Sequence, residues 1–255
     1  MSMPKICFLG SSYIGAVYSA YKLGTPGDEF YDIDFYGHSN GGFPNVDIVD
    51  NQIVNVRFKS RVNPQPKTGI IAKIKRLFGE RPVQPRGVDS YDAFVIYADL
   101  PSPQDAQRAF TAARKAQCSA QVCNRVIIDL VKGADAYRIS ETLKSLTGKP
   151  TVLLSANVVS TTILKMDDAR FSEIQAMMQE ALGDHDYVAF PRVLFDDLHR
   201  PVGDFYRGSI LLTGEKAVEN AGHDYHHMNE KGGREVLNAV LRHLDLKFGL
   251  QSRAA

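Results

Sequence analysis

The stretch that decides the fold is CFLGSSYIGAVYSA, residues 7–20. A short apolar run ends at Gly10, and an amphipathic pattern begins after Ser11 and Ser12. An apolar run of this length that is bounded by a turn signal predicts a buried strand, and the pattern that follows predicts a helix over residues 13–22. The stretch therefore predicts a strand, a tight turn and a helix, with two hydroxyl groups in the turn.

Three further apolar runs, at residues 33–36, 93–98 and 151–155, also predict buried strands. The candidate helices cover residues 103–117, 120–131, 134–147, 168–182 and about 230–246. Strands that alternate with helices are typical of a parallel sheet covered on both faces. We therefore expect an α/β fold: a three-layer α/β/α, flavodoxin-like arrangement with a mainly parallel, doubly wound sheet, in a single domain that spans residues 1–255.

The composition excludes several classes of protein. The chain has 255 residues, and 30 Lys and Arg against 29 Asp and Glu leave a formal charge of +1, so no global field favours nucleic acid or a membrane. No run approaches the roughly 18 apolar residues of a spanning helix, so we expect no transmembrane segment. The three cysteines lack metal-ligand spacing and favour a reducing compartment. The expectation is a cytoplasmic protein with no nucleic-acid partner.

One segment departs from the alternation of strands and helices. Residues 58–86 carry eight Lys or Arg against the single acidic residue Glu80, and prolines bracket a short amphipathic piece at residues 69–78. We interpret residues 58–86 as a basic insertion in the domain. Two roles stay open for it: a solvated surface loop, or a docking element that makes peripheral contact with an anionic substrate, a carrier or a membrane surface.

Ser11 and Ser12 fall where a parallel α/β sheet places its ligands, outside the carboxyl end of a strand. At a helix start, free backbone N–H groups and the positive end of the helix dipole stabilise a developing oxyanion. The alternative is that one serine only caps the helix. A serine nucleophile also needs a base to take its proton and a group to orient that base.

A candidate base lies near the far end of the chain, in GHDYHHMNEKGG at residues 222–233. Asp224 precedes His227 by three positions, and in a turn or helix start this spacing lets the carboxylate reach the imidazole ring. The carboxylate would fix the tautomer and stabilise the imidazolium. A metal site and a polar surface turn are the alternatives. Because no second cluster of carboxylates or cysteines accompanies these histidines, we expect no metal.

Together, Gly10-Ser11-Ser12 and Asp224-x-x-His227 resemble the two end blocks of the SGNH, or GDSL-like, hydrolase superfamily. The resemblance implies a catalytic triad in which Ser12 is the nucleophile, His227 the general base and Asp224 its partner. Residues 90–102 and 205–229 resemble a bacterial branch that is often found with surface-polysaccharide genes. The implied function is a serine esterase or O-acyltransferase that acts on acyl esters of carbohydrate, acetyl esters first, through an acyl-serine and without a cofactor.

The same resemblance implies an oxyanion hole. The family's second block contributes a glycine N–H, and GHSNGGF at residues 37–43 offers Gly41 or, failing that, Gly42. With the backbone N–H of Ser12, Gly41 would hold the oxyanion. These glycines are equally suited to a tight turn.

The third block departs from the family pattern. Its usual Gly-x-Asn supplies a side-chain donor, whereas this chain has Asp99 at the corresponding place, in ADLP at residues 98–101. An ionised Asp99 would repel an oxyanion, so we expect either that it points away or that Asn40 or Asn157 substitutes. The departure favours a rival function, a non-catalytic binding or assembly protein of a polysaccharide or envelope system. A lipid or thioester hydrolase is the third alternative.

Overall fold

The computed structural model describes residues 3–24, 28–38, 43–62, 86–155, 166–197, 201–213, 216–219 and 227–250. The strands are β1 (Lys5–Gly10), β2 (Asp32–Gly37), β3 (Asp47–Val49), β4 (Gln52–Val54), β5 (Phe58–Val62), β6 (Ala93–Tyr97), β7 (Thr151–Leu154), β8 (Asp186–Val188), β9 (Ile210–Thr213) and β10 (Lys216–Glu219). The helices are α1 (Ile14–Leu23), α2 (Pro103–Lys115), α3 (Ala120–Lys132), α4 (Asp135–Thr147), α5 (Asp168–Leu182) and α6 (Glu230–Phe248).

Six of the strands form one sheet in the order β5-β2-β1-β6-β7-β8. Every neighbouring pair in it is parallel except β2 and β5, which are antiparallel. The predicted α/β class with a mainly parallel sheet is confirmed. Because β1 has β2 on one side and β6 on the other, the winding reverses at β1, and a crevice opens outside the carboxyl ends of the strands at such a point.

The sheet lies between two layers of helices, because alternate side chains of each strand point to opposite faces. Ile6 and Phe8 of β1 are fully buried in the core formed with α1 and α6. Cys7 and Leu9 are fully buried in the opposite core, to which α2, α3, α4 and α5 contribute. The expected three-layer arrangement is therefore present. Within the described ranges, no helix has both the length and the apolar composition needed to cross a membrane.

Close contact between α1 and α6 brings the two ends of the chain together. A Cβ atom added to Gly233 would lie only 2.2 Å from the carbonyl oxygen of Ala16, so the two helix backbones approach to a distance that only glycine allows. Val236, Leu237 and Val240 of α6 are fully buried in the core that α1 shares. This packing fixes the beginning of α6 beside the beginning of α1.

A buried carboxylate joins the edge strand β5 to the sheet. Asp34 of β2 is fully buried, and the guanidinium of Arg61 donates to its two oxygens at 2.5 and 2.7 Å. The hydroxyl of Tyr91 also donates to Asp34, at 2.7 Å. A bidentate arginine and a hydroxyl compensate the cost of burying this charge.

Residues 58–62, at the start of the predicted basic insertion, form β5 of the sheet. The last residue of the insertion, Arg86, donates to Asp32 of β2 at 2.6 Å. Two of its basic side chains, those of Arg61 and Arg86, thus bind carboxylates of the sheet, which explains their charge without a docking partner. Residues 63–85 lie outside the described residues, so their peripheral contact stays a prediction.

We expect Asp34→Ala to lower the free energy of unfolding by about 3–5 kcal/mol, because it leaves the partly buried guanidinium of Arg61 without the carboxylate that pairs with it. Denaturant titration measures this loss. The matched control is Asp129→Ala, which breaks an exposed ion pair with Arg125 on α3 and should cost less than about 1 kcal/mol. Equal losses in the two variants would contradict the role given to Asp34.

Candidate active site

Ser12 lies in the tight turn between β1 and α1. A Cβ atom at Gly10 would lie 2.1 Å from the carbonyl oxygen of Tyr97 and 2.4 Å from the side chain of Ile14, so the turn needs glycine there. The backbone N–H of Ser11 donates to the same carbonyl oxygen of Tyr97 at 3.2 Å, which ties the turn to the end of β6. Ser12 is thereby held at the carboxyl edge of the sheet, just ahead of the first turn of α1.

His227 is held in place by the cap of α6. The side-chain oxygen of Asn229 accepts from the backbone N–H of Gly232 at 3.1 Å, which satisfies one of the free N–H groups at the helix start. The side-chain amide of Asn229 donates to the carbonyl oxygens of Asp204 and Arg207 at 2.7 and 2.9 Å. Three hydrogen bonds of its side chain therefore hold Asn229, which follows His227 by two residues.

The two predicted side chains meet in space. The Oγ atom of Ser12 lies 2.7 Å from Nε2 of His227, across a sequence separation of 215 residues. Both residues are half-buried. If the imidazole is neutral with its proton on Nδ1, Nε2 accepts the hydroxyl hydrogen of Ser12, which is the arrangement that activates a serine.

The neighbouring serine has a different environment. The Oγ atom of Ser11 is buried, and none of the described residues offers it a hydrogen-bond partner. Ser12 is thus the serine of the pair that contacts the imidazole. The family resemblance had indicated the same choice.

The remaining residues predicted for the triad and the oxyanion hole lie outside the described residues. These are Asp224, Gly41, Gly42, Asn40 and Asn157. The backbone N–H of Ser12, the other predicted donor, has no backbone acceptor in the described parts of the chain. It lies before α1, where the positive end of the helix dipole favours negative charge. The roles of Asp224 and Gly41 stay predictions.

Asp99, which replaces the family's asparagine, caps a helix. Its two carboxylate oxygens accept from the backbone N–H groups of Asp135 and Ala136, both at 2.8 Å, at the start of α4. The carboxylate satisfies two N–H groups that the helix leaves unpaired, and its charge complements the helix dipole. A structural function therefore accounts for the aspartate at this position.

Sequence reasoning missed one aromatic neighbour of the pair. The ring of Tyr13 lies 5.5 Å, between centroids, from the imidazole of His227, and it also stacks on the ring of Tyr97 at 5.4 Å. A ring packed against an imidazole restricts its rotation. The position of Tyr13, directly after Ser12 in the chain, was the only sequence signal.

Two other reactive side chains, those of Cys7 and His185, are buried in the packed interior. Burial raises the pKa of the Cys7 thiol well above its usual range, and the charge of Asp34 raises it further, so Cys7 is a neutral, inert thiol. His185 is buried and contacts Glu141 of α4. Among the residues that the structure describes, no group of three or more His, Cys, Asp or Glu is arranged to hold a metal ion.

No protein-family model matches this chain, and no curated protein sequence matches it either. The function is therefore argued from the site and from the residue pattern around it.

Proposed function

We propose that the protein is a serine esterase or O-acyltransferase that acts on acyl esters of carbohydrate through an acyl-serine intermediate. The observation that carries the proposal is the 2.7 Å contact between Ser12 Oγ and His227 Nε2 at the point where the winding of the sheet reverses. Ligands bind at this point in open α/β sheets. The resemblance of the two end motifs to SGNH hydrolases supports the same chemistry and supplies the class of substrate.

In the first half of the reaction, Nε2 of His227 takes the hydroxyl proton as Oγ of Ser12 attacks the ester carbonyl carbon. A new C–O bond forms, and the carbonyl electron pair moves to the oxygen. The N–H of Ser12 and the predicted N–H of Gly41 stabilise this oxyanion. When the tetrahedral intermediate collapses, the imidazolium gives its proton to the departing alcohol. Asp224 is proposed to stabilise that imidazolium.

In the second half, an acceptor hydroxyl gives its proton to His227 as its oxygen attacks the acyl carbon. The bond between that carbon and Oγ of Ser12 then breaks, and the imidazolium returns the proton to Ser12. If the acceptor is water, the product is a free acid and the protein is an esterase. If it is a sugar hydroxyl, the acyl group is transferred. The chain's own residues perform the same proton transfers in either case, so the identity of the acceptor depends on what the site binds.

The rival candidate is a non-catalytic binding protein on the same fold. It is favoured by Asp99, because the family's asparagine would complete the oxyanion hole and removal of one such donor slows a reaction by about 10²–10³-fold. Against it stands the contact between Ser12 and His227, since binding alone does not require a serine paired with an imidazole.

Acetate release from a panel of acetylated monosaccharides tests the proposal. If the protein is an esterase, we expect it to release free acetate from the acetylated sugars. If it is a transferase, we expect the acetyl group to appear on a free sugar that is supplied as acceptor, in place of free acetate. No turnover of any ester, together with no labelling by a fluorophosphonate, would contradict the proposal and favour the binding protein.

Tyr13 is expected to position the imidazole, so Tyr13→Ala should lower kcat for ester hydrolysis by about tenfold while KM changes little, because a loosened general base costs rate rather than ground-state binding. Tyr13→Phe keeps the ring and should keep kcat. The pair of variants separates the packing of the ring from its hydroxyl group. A Tyr13→Ala protein with wild-type kcat would show that His227 needs no such support.

A further inference from the structure

A cavity of about 360 Å³ opens between the beginning of α5 and the residues that follow β8. Its walls include Phe171, Ser172 and Gln175 of α5, and Phe190 and Phe195 from the segment after β8. The volume lies within the range of small-molecule sites. None of these residues takes part in the proton transfers of Ser12 and His227.

Ring contacts connect the cavity to the candidate active site. Phe190, in the wall of the cavity, lies 5.6 Å from the ring of Tyr97, which stacks on Tyr13 at 5.4 Å. Tyr13 in turn contacts His227. Phe190 follows β8 and Tyr97 ends β6, so the contacts run along the carboxyl edge of the sheet, where Ser12 also lies. A ligand in this cavity therefore lies along the same edge as the serine.

The charges around the cavity do not favour an anion. Arg192, the cation in its wall, donates to the carbonyl oxygens of Phe195 and Asp196 at 2.8 and 2.7 Å. Its guanidinium also lies 3.8 Å from a carboxylate oxygen of Asp168 and 3.6 Å from one of Asp197. Two carboxylates therefore more than offset the charge of this one guanidinium, so the cavity has no positive charge with which to hold an anionic ligand.

The walls combine aromatic rings with hydrogen-bonding groups. Phe171, Phe190 and Phe195 contribute rings, whereas Ser172 and Gln175 contribute an exposed hydroxyl and a half-buried amide. A purely apolar acyl chain would pack against the rings but would form no hydrogen bond with the hydroxyl or the amide. A hydroxylated ring suits both kinds of wall, because its C–H groups can pack against apolar ring atoms and its hydroxyl groups form hydrogen bonds.

We propose that this cavity is the subsite for the alcohol part of the ester, and that it binds a neutral, hydroxylated ring of the pyranose type. The coupling of the cavity to Ser12 rests on the proposed function, whereas binding of the ring does not. The two parts are therefore tested separately.

The variant that tests the subsite is Ser172→Trp. Ser172 is exposed on α5, and a helical side chain points back over the preceding turn, so an indole there would cover the cavity wall near Asp168. The matched control is Glu180→Trp, an exposed position two turns further along α5 that does not line the cavity. Because both positions face solvent, both variants are expected to fold.

The first measurement is binding without catalysis. Saturation-transfer NMR is recorded with the methyl glycosides of glucose, galactose and N-acetylglucosamine on the full-length Ser12→Ala protein, alone and with each tryptophan substitution. We expect at least one glycoside to bind, to keep its affinity in Glu180→Trp and to bind about tenfold more weakly or not at all in Ser172→Trp. No binding by any of the three glycosides, or equal binding in the two tryptophan variants, overturns the proposal.

The second measurement is turnover. We expect Ser172→Trp to lower kcat/KM for an acetylated methyl glucoside about tenfold, mainly through KM, and to leave fluorophosphonate labelling of Ser12 unchanged. Normal labelling with equal kcat/KM in both tryptophan variants overturns the subsite and leaves the esterase. Glycoside binding that Ser172→Trp abolishes, in a protein whose Ser12 is unreactive, supports the subsite and contradicts the esterase. Selective loss of octanoyl-ester hydrolysis in Ser172→Trp would make the cavity an acyl site and overturn the proposal.

Discussion

Ser12→Ala is expected to lower ester turnover by about 10⁴-fold or more and to abolish fluorophosphonate labelling, because the variant has no oxygen with which to form the acyl-enzyme. The magnitude follows from the role of the serine in every chemical step: attack, acyl transfer and release. The substitution removes one half-buried oxygen atom, so the melting temperature should change little. Steady-state hydrolysis of p-nitrophenyl acetate measures the loss.

Ser11→Ala is the control that the chain itself supplies. Ser11 is the preceding residue in the same turn, and among the described residues its buried hydroxyl finds no partner. Removing an unsatisfied hydroxyl leaves stability unchanged or raises it by about 1 kcal/mol, and turnover should stay within about twofold of wild type. Labelling that disappears in Ser11→Ala and persists in Ser12→Ala would contradict the assignment of the nucleophile.

His227→Ala is expected to have the second large effect, a loss of about 10⁴-fold in kcat/KM, because a serine hydroxyl is a poor nucleophile when no base takes its proton. Binding of a glycoside should persist, since the imidazole acts on the reacting oxygen of Ser12. The variant therefore separates loss of chemistry from loss of the substrate site.

A second histidine provides the control for this substitution. His243 is also half-buried, lies on α6 and contacts Asp186 at 3.4 Å, remote in sequence from the serine turn. His243→Ala should keep turnover within about twofold of wild type, because no proton of the reaction passes through it. Turnover in His227→Ala that matched the His243→Ala control would show that the 2.7 Å contact is structural.

The sequence predicts those elements of the fold whose burial and spacing are visible in a short stretch of residues. The strand, turn and helix around Gly10 were found because burial and helical spacing are both visible in one short stretch. Strand β8 was missed because three residues are too few to show a period. The strands β3 and β4 are equally short, and β9 and β10 have four residues each. Strand β5 was missed for another reason, because charged residues such as Lys59 and Arg61 indicate a solvated loop. The segment is a strand of the sheet in which Arg61 donates to the buried Asp34.

In the candidate site, too, some residues are predictable from the sequence and others are not. Ser12 and His227 were predictable because a reactive serine needs a base, and the two motifs that supply them are recognisable in the sequence. The capping role of Asp99 was not predictable, because α4 begins 36 residues later in the chain. The cavity and the ring of Tyr13 against the imidazole arise from tertiary packing, which leaves no spacing in the sequence to recognise.

The most direct test of the central claim is peptide mass spectrometry of the wild-type protein after reaction with a fluorophosphonate, repeated on His227→Ala. We expect a single adduct on Ser12 that forms in the wild type and is lost when the imidazole is removed. An unmodified wild-type protein, or an adduct on another residue, would contradict it.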